Sequence, residues 1–530
     1  MKRSRAGRRI SPPGQDGPRA KLTGDEKVSG DLEKDVAGLK DVLGASDDII
    51  FREFRLCGNG QLVATLVYVD GMVDKDLVQR DVIRPLMHLC SSLSGKSLIS
   101  AEELSRIVQE ELVNIQEIKE SDTYQAAIDG LLNGDPALFV DGMTVALNAG
   151  LRNWEHRTIS EPSTEQVIRG PREGFNELLK TNITLIRRKL KDPNLSVKLL
   201  KLGERSQTDI AVLYHAEITN ESLVKEVFRR LNKIEISAIL DSGYIEQYLQ
   251  DNPWSPFPQV QYTERPDRVA SALLEGRVAI LADGSPFALL APATLPTFLP
   301  APDDYYDSWI VVTAIRLFRT ISIFNSSLLP SIYVSLLNFH HEMIPVRLSL
   351  AMATARSGVP FPAVVEALIM EVTFELLREA GVRLPTAIGQ TIGIVGGIII
   401  GQAAVSARIV SPLTVIIVAL TAIGSFSIPA VNMATSLRLL RFPLLLLAAT
   451  FGFYGVLAGL ILIYLHLVTL KSFGVPYMSP VSPFSLATLN DTIVRAPLWR
   501  MRWRPRFFAP RDPDRLAPRP APGRKGGRNQ

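Results

Sequence analysis

Cysteine is almost missing from this chain: Cys57 and Cys90 are the only two in 530 residues, and both lie in the polar N-terminal half. A disulfide framework is therefore excluded, and a reducing, cytosol-facing compartment suits that half. Histidine is scarce as well, with six residues. The adjacent pair His340-His341 cannot share one helix face as an i, i+4 ligand pair would, and His156 and His215 stand far apart, so no metal site is expected. The chain has no Walker loop, no dinucleotide-binding glycine fingerprint and no nucleophile elbow. Without a convergent polar site an enzyme is the least favoured class, and no cofactor is expected. The N-terminus, MKRSRAGRRISPPGQDGPRA, is basic but lacks the apolar stretch of a signal peptide.

Charge is present but unevenly placed. Residues 1–30 carry eight Lys/Arg against three acids and residues 495–530 carry eleven against two, so the formal +4 of the whole leaves a body of net charge −10. Residues 1–44 read as a disordered basic arm and 486–530 as a disordered Arg-rich tail. Contact of the arm with anionic lipid is weighed against a plain solvated tail, and no nucleic-acid partner is expected.

Between these ends the polar half reads as one α/β module used twice. From Ile49 the sequence alternates, IIFREFRLCGNGQLVATLVYVDG, with Asn59-Gly60 as a hairpin signal. Asp74 is placed to cap a helix whose apolar face is Leu77, Val78, Val82, Ile83 and Leu86, with Pro85 disturbing it. The pattern returns: Val67-Tyr68, Leu77-Val78 and Arg84 are matched by Leu213-Tyr214, Leu223-Val224 and Arg230, with Asn220 as the cap. GDPALFVDG at 134–142 aligns with GRVAILADG at 276–284 without a gap, each a buried strand ending in an Asp-Gly turn. The modules are therefore set at 45–160 and 161–290. The second opens with a connecting helix that carries Phe175, Leu178, Leu179, Ile183, Ile186 and Leu190 on its apolar side. Arg187, Arg188 and Lys189 are expected on a solvated face, and Asn182 and Glu177 are weighed as an intersubunit contact.

The region 291–485 changes character. Four uncharged runs, 320–339, 384–407, 409–437 and 442–470, are each long enough to cross a bilayer core. The fold class expected is thus an α/β soluble region of two similar modules followed by an all-α polytopic membrane domain of four to five spans. Four spans put both termini on one side, which the Arg-rich tail marks as cytoplasmic. Arg438 and Arg441 conflict with this, because they would fall in an outer loop.

Two stretches of the apolar region stand out. LPTAIGQTIGIVGGIIIGQAAVSA, 384–407, has no charge and carries Gly389, Gly393, Gly397 and Gly401 at every fourth position, a stripe suited to close helix packing. Just before it, 361–384 is a helix opened by Pro360 and Pro362 that holds Glu366, Glu371, Glu375 and Glu379 among apolar neighbours. It is either an amphipathic helix on the membrane surface or a pore or gate helix, since carboxylates at membrane depth face an aqueous path. Arg378 and Arg383 are in reach of some of these acids.

LVYVDGMVDKDLV, IRPLM, GPREGFNELLKTNITLIRRKLK, LREAGVRLPTAIGQTIGIVGGIIIGQAAV and SFGVPYMSP together resemble the A subunits of GerA-type spore germination receptors, over roughly residues 48–483. The resemblance implies a multi-pass subunit of the spore inner membrane, working with a transporter-like B subunit that binds the nutrient and a lipoprotein C subunit. It further implies a homo-oligomer, a pentamer, that forms a nutrient-gated cation channel in membrane lipid. The competing readings are a non-conducting scaffold coupling sensor to effector, including the paralogue that accompanies dipicolinate release, and a substrate transporter. The duplication lies in the polar half and not among the spans, which disfavours the transporter.

Overall fold

Alternating apolar residues in IIFREFRL and LVATLVYV form the first hairpin. In the computed structural model, which describes residues 26–43, 46–56, 62–87, 101–112, 115, 117–152, 161–383, 397, 399–484, 491–492 and 494–515, strand β1 (Ile49–Leu56) pairs antiparallel with β2 (Leu62–Val69). The Asn59-Gly60 turn, both cysteines and His156 lie outside the described residues. β3 (Ile118–Ser121), β4 (Ala137–Val140) and β5 (Ala146–Ala149) complete a sheet of order β1-β2-β4-β5-β3. The second sheet, from β6 (Leu195–Leu202), β7 (Thr208–His215), β8 (Gln261–Thr263), β9 (Val278–Ala282) and β10 (Ala288–Ala291), has the order β6-β7-β9-β10-β8. The two orders are the same once the strands are matched, which establishes the duplication at the level of topology. β4 and β9, the strands that precede the two Asp-Gly turns, are buried at every position.

The repeat is longer than its strands. Each module begins with a helix, Leu32–Leu43 in the first and Leu179–Lys189 in the second. In each module Asp-Gly serves that helix. Asp141 Oδ1 accepts from Leu32 N–H at 3.5 Å and Asp283 Oδ1 from Leu179 N–H at 3.1 Å. The following glycine N–H donates to Gly30 O and to Glu177 O respectively. These turns are helix caps, acting where the first backbone N–H groups of a helix have no internal partner. Residues 32–43 therefore do not belong to a disordered arm: Leu32, Leu39, Val42 and Leu43 are buried in the first core.

The capping residues Asp74 and Asn220 act as expected, each accepting from backbone N–H groups of the helix that follows. The two helices differ in course. Glu221–Leu231 is regular, whereas its counterpart passes through a π-turn at Val78–Ile83. The apolar spacing from Leu77 to Val82 is one residue longer than from Leu223 to Val227, and Pro85 supplies no N–H. One extra residue is accommodated by widening the turn.

Arg187 is not on a solvated face. It is 1% exposed, with Nε and Nη2 donating to both Asp48 carboxylate oxygens at 2.8 and 2.9 Å and Nη2 to Ser46 Oγ at 2.7 Å. This ion pair joins the modules. Asn182 is also internal, since its side chain bonds the backbone of Asn176 in both directions. No subunit contact is needed to explain it.

In the second module Glu246 has its carboxyl pushed up to about 7 by burial and by the charge of Asp241. Between its ordinary 4.5 and 7 the folded chain holds a proton that the unfolded chain has released, so stability falls as pH rises through that window. Glu246→Gln is expected to stabilise the protein at pH 8 by about 1–3 kcal/mol, with the gain vanishing near pH 4. Denaturation of the two proteins at both pH values checks this; equal stability at pH 8 would remove the assignment.

Residues 251–259 and 293–501 form a separate unit, almost entirely helical, with one two-stranded ribbon, Lys471–Ser472 with Val475–Pro476. Among the described residues two of its helices are long and apolar enough to cross a membrane, Trp309–Asn338 and Val431–Thr469. The first begins eleven residues before the uncharged run that announced it. Arg316 and Arg319, which precede the uncharged run, thus lie within the helix, and both reach Asp304. Burial raises the Asp304 carboxyl, but Arg319 and Arg316 outweigh that and hold it below the usual carboxylate range. The tail is likewise held in part: Arg495 donates to the Asp307 and Tyr305 carbonyls.

The second long helix does not run straight. Gly452 has φ 60° and ψ −139°, outside helical values, and beyond it the chain folds back. A Cβ on Gly455 would stand 2.0 Å from Leu447 O, and one on Gly459 2.6 Å from Leu444 Cδ2. Further along, Leu437 and Leu440 share a core with Ile463 and Leu467. The run 442–470, expected as a single span, is thus part of a helical hairpin bent at Gly452. The run 409–437 is not a span either: helix Pro412–Phe426 ends there, and the next starts at Val431, beyond Pro429.

Candidate functional site

Helix Ala363–Arg383 carries the four acids singled out from the sequence. Pro362 opens it, with its carbonyl accepting from Val365 and Glu366 N–H. Ala363, Glu366, Ala367, Met370 and Glu371 are buried, at the i, i+3, i+4 spacing of one helix face. A step of four residues turns 400°, about 40° past a full circle. Glu371, Glu375 and Glu379 therefore walk off that face. Exposure follows: Glu366 and Glu371 are 0% and 3% exposed, while the side chains of Glu375 and Glu379 are at 46% and 62%.

Each acid has an arginine partner. Glu366 Oε1 accepts from Arg356 Nη2 at 3.1 Å, and Oε2 accepts from Ser411 N–H at 2.8 Å and Thr414 Oγ1 at 3.0 Å. Ser411 is the N-cap of helix Pro412–Phe426, so this carboxylate also lies at the positive end of a helix dipole. Tyr333 Oη extends the network to Thr414 at 3.1 Å. Glu371 is bonded by Arg441 Nη1, while Arg441 Nε donates to Ser326 O at 2.8 Å. Glu375 lies 3.2 Å from Arg378 Nη1 and 3.6 Å from Arg438 Nε. Arg378 in turn donates to Ser425 Oγ at 3.0 Å and stacks on the Phe374 and Phe426 rings, 5.0 Å from each centroid. Glu379 pairs with Arg383 at the exposed end.

This geometry revises the sequence reading. Glu366 and Glu371 do not line an open path within one chain; they are the inner anchors by which the acidic helix is held to three neighbours. Arg438 and Arg441 are not in a loop. They project from the hairpin's first arm: Arg441 offsets the charge of the buried Glu371, and Arg438 lies beside the exposed Glu375. The partners Arg356, Ser411, Thr414, Arg438 and Arg441 were not linked to the acids from sequence, although an arginine inside a long apolar run signals that an acid must meet it.

Of the glycine stripe the structure describes Gly397 and Gly401. Gly389 and Gly393 lie outside the described residues. A Cβ on Gly397 would meet nothing within 4 Å, and one on Gly401 would make an ordinary 3.7 Å contact with Val415. Close helix approach occurs instead at Gly424, where a Cβ would lie 2.9 Å from Ser322 O, and along Gly452, Gly455 and Gly459. His340 packs against that bend, 5.0 Å edge-on from Phe453, and His466 bonds Ser255 and stacks on Phe257. Among the described residues no group of three or more His, Cys, Asp or Glu is placed to hold a metal ion.

The family profile described as Bacillus/Clostridium GerA spore germination protein matches residues 37–507. Spore germination protein KA of Bacillus subtilis (strain 168) is 44% identical over 485 residues, covering 92% of this chain and 88% of that one. The uncharacterized membrane protein YfkQ of the same organism is 42% identical over 486 residues, covering 92% and 93%. The N-terminal domain of the A subunit of the Bacillus megaterium spore germinant receptor GerK3, known from a crystal structure, has 32% sequence identity and covers 51% of this chain and 98% of that one, with a TM-score of 0.41.

Proposed function

The chain belongs to the Bacillus/Clostridium GerA spore germination protein family, and from that premise we propose that it is the A-type membrane subunit of a spore germinant receptor, in which helix Ala363–Arg383 is the gating element of a nutrient-gated cation channel. The observation that carries this reading is the gradient along one helix, from two fully buried, arginine-held carboxylates to two exposed ones. The buried end fixes the helix. The exposed end, Glu375 and Glu379, presents negative charge where a second copy would complete a cation path. In this reading helix Trp309–Asn338, the hairpin and one further crossing between them traverse the spore inner membrane in contact with lipid, an even total that keeps both chain ends on the cytoplasmic side. The subunit assembles as a homo-oligomer, a pentamer, beside a transporter-like B subunit and a lipoprotein C subunit.

The competing reading is a non-conducting subunit that couples sensor to effector, and the arginine partner found for every acid favours it. Reconstitution with the partner subunits in liposomes separates the two. Glu375→Gln is expected to lower nutrient-triggered cation flux about tenfold, the effect of removing ~1–2 kcal/mol of attraction at roughly 10 Å in a protein dielectric. Assembly should be intact, because the exposed pair adds little to stability. Unchanged flux with unchanged selectivity would leave the coupling role.

A further inference from the structure

The two modules meet through different surfaces. The first presents the chain ends beside β1 and β2: Asp70 accepts from Lys180 Nζ at 3.0 Å, Gly71 lies against Thr184, and Asp48 receives Arg187. Asn133 Oδ1, at the end of helix Tyr124–Leu132, accepts from Lys191 Nζ at 2.6 Å. All four partners belong to the second module's first helix or the residue pair after it. Matching the modules strand by strand carries Asp70 to Ala216, Lys75 to Glu221 and Asn133-Gly134 to Glu275-Gly276.

On the second module this surface is covered by the chain's own C-terminal segment. Arg511 N–H donates to Ile218 O at 2.8 Å, its Nη1 to Ala216 O at 3.4 Å and its Nη2 to Glu221 at 2.6 Å. Asn220 donates to Ala509 O, and Pro510 Cβ lies 3.3 Å from where a Cβ on Gly276 would be. The segment is fastened on both sides of this contact. Arg504 donates to Leu274 O at 2.7 Å and to Asp512 Oδ2 at 2.7 Å, and the Arg277 guanidinium lies over the Phe508 ring.

We propose that residues 502–515 are a cap that ends a two-module array. They occupy on the second module the surface by which the first module takes its neighbour, and when the cap lifts, the occupant is helix Leu32–Leu43 of a second copy. Modular arrays need such closure, because each unit buries the face its neighbour leaves open. The helix of the second copy fits for the reason that Leu179–Lys189 fits. It is the corresponding helix, its first residue Leu32 being bonded by Asp141 as Leu179 is by Asp283. Lys40 stands where Arg187 does, facing Asn194 and Asp192 in place of Asp48 and Ser46. The fit is weaker than the internal one, since Glu33 replaces Lys180 and would approach Glu221. Glu221 pairs with Lys225 and, while the cap is down, with Arg511 as well; cap and second copy exclude each other because both take the surface at Ala216 and Gly276. The surface lies wholly within the first unit, and the proposal does not depend on ion conduction.

The test uses the full chain in membranes, with Cys57 and Cys90 replaced by serine and the substitutions Lys40→Cys and Asn194→Cys introduced. Under mild oxidation, cross-linked dimers and higher species are expected at background with the cap in place and at least tenfold higher once Arg511→Glu is added. Faster trypsin cleavage after Arg502 and Arg506 in that variant reports that the cap has lifted. Equal, strong cross-linking with and without Arg511→Glu would overturn the cap. Background cross-linking despite a lifted cap would overturn the second copy as the occupant.

Discussion

Glu371→Gln is expected to cost the membrane unit about 3–5 kcal/mol, the penalty of leaving a buried charge without its partner. Arg441 is 4% exposed, its Nη1 bonds Glu371 and its Nε bonds the Ser326 carbonyl. A glutamine there can accept a hydrogen bond but cannot offset the guanidinium charge among apolar helices. Arg441→Gln should cost a similar amount, by stranding the carboxylate instead. Combining the two removes both charges, and most of the loss should be regained, because a neutral pair no longer pays for desolvation. Thermal unfolding of the four proteins in detergent measures this cycle. Glu379→Gln is the reference, since its pair with Arg383 is exposed and should contribute under about 1 kcal/mol. If Glu371→Gln unfolds at the parent temperature, the pair does not hold the acidic helix, and the gating role given to that helix loses its fixed end.

The second large effect belongs to Gly455→Ala. A methyl group there would fall 2.0 Å from the Leu447 carbonyl oxygen and 2.6 Å from its carbon. Backbone cannot yield as a flexible side chain does, so the two arms of the hairpin must part, at about 3 kcal/mol or more. Gly401→Ala faces only the 3.7 Å contact with Val415 and should be neutral or stabilising by up to about 1 kcal/mol through helix propensity. A cysteine pair at positions 440 and 463, whose leucine and isoleucine share one core, gives a direct readout. It should oxidise readily in the parent and poorly with Gly455→Ala. Equal oxidation in both would show that the arms are not in the close contact described.

Much of the first unit was legible because its signals are local. Alternation, Asp74 and Asn220 as caps, and the paired GDPALFVDG and GRVAILADG strands each depend on neighbours a few residues away. The helix Leu32–Leu43 was missed beside a basic, proline-containing start, although its counterpart before β6 was seen. Matching the modules backward from the strands would have found it. Arg187 was misplaced for a different reason. Its partners Asp48 and Ser46 lie about 140 residues earlier, and no period in the helix distinguishes an arginine facing water from one facing a buried acid.

In the second unit hydropathy located apolar lengths but not bends. Gly389 to Gly401 drew attention by regular spacing, yet among the described residues close approach occurs at Gly424 and at Gly452, Gly455 and Gly459, and the spacing of those last three reads as ordinary in FGFYGVLAGL. Their importance comes from what folds back onto them, which is a tertiary fact. The acids drew attention as carboxylates in an apolar stretch, with Arg378 and Arg383 in reach on the same helix, while Arg438 and Arg441 were read as lying in an outer loop.

The bend at Gly452 also bears on how the chain enters a bilayer. A straight helix of 39 residues would be ~58 Å long, nearly twice the hydrocarbon thickness. Folded in two, the stretch can be inserted as one unit. A hairpin gives its chain back to the side it came from, so it adds an even number of crossings and leaves the parity of the rest untouched. The sidedness of the C-terminal segment is then set by the helices before Val431, and a lesion at the bend would reverse it without altering a single charged residue.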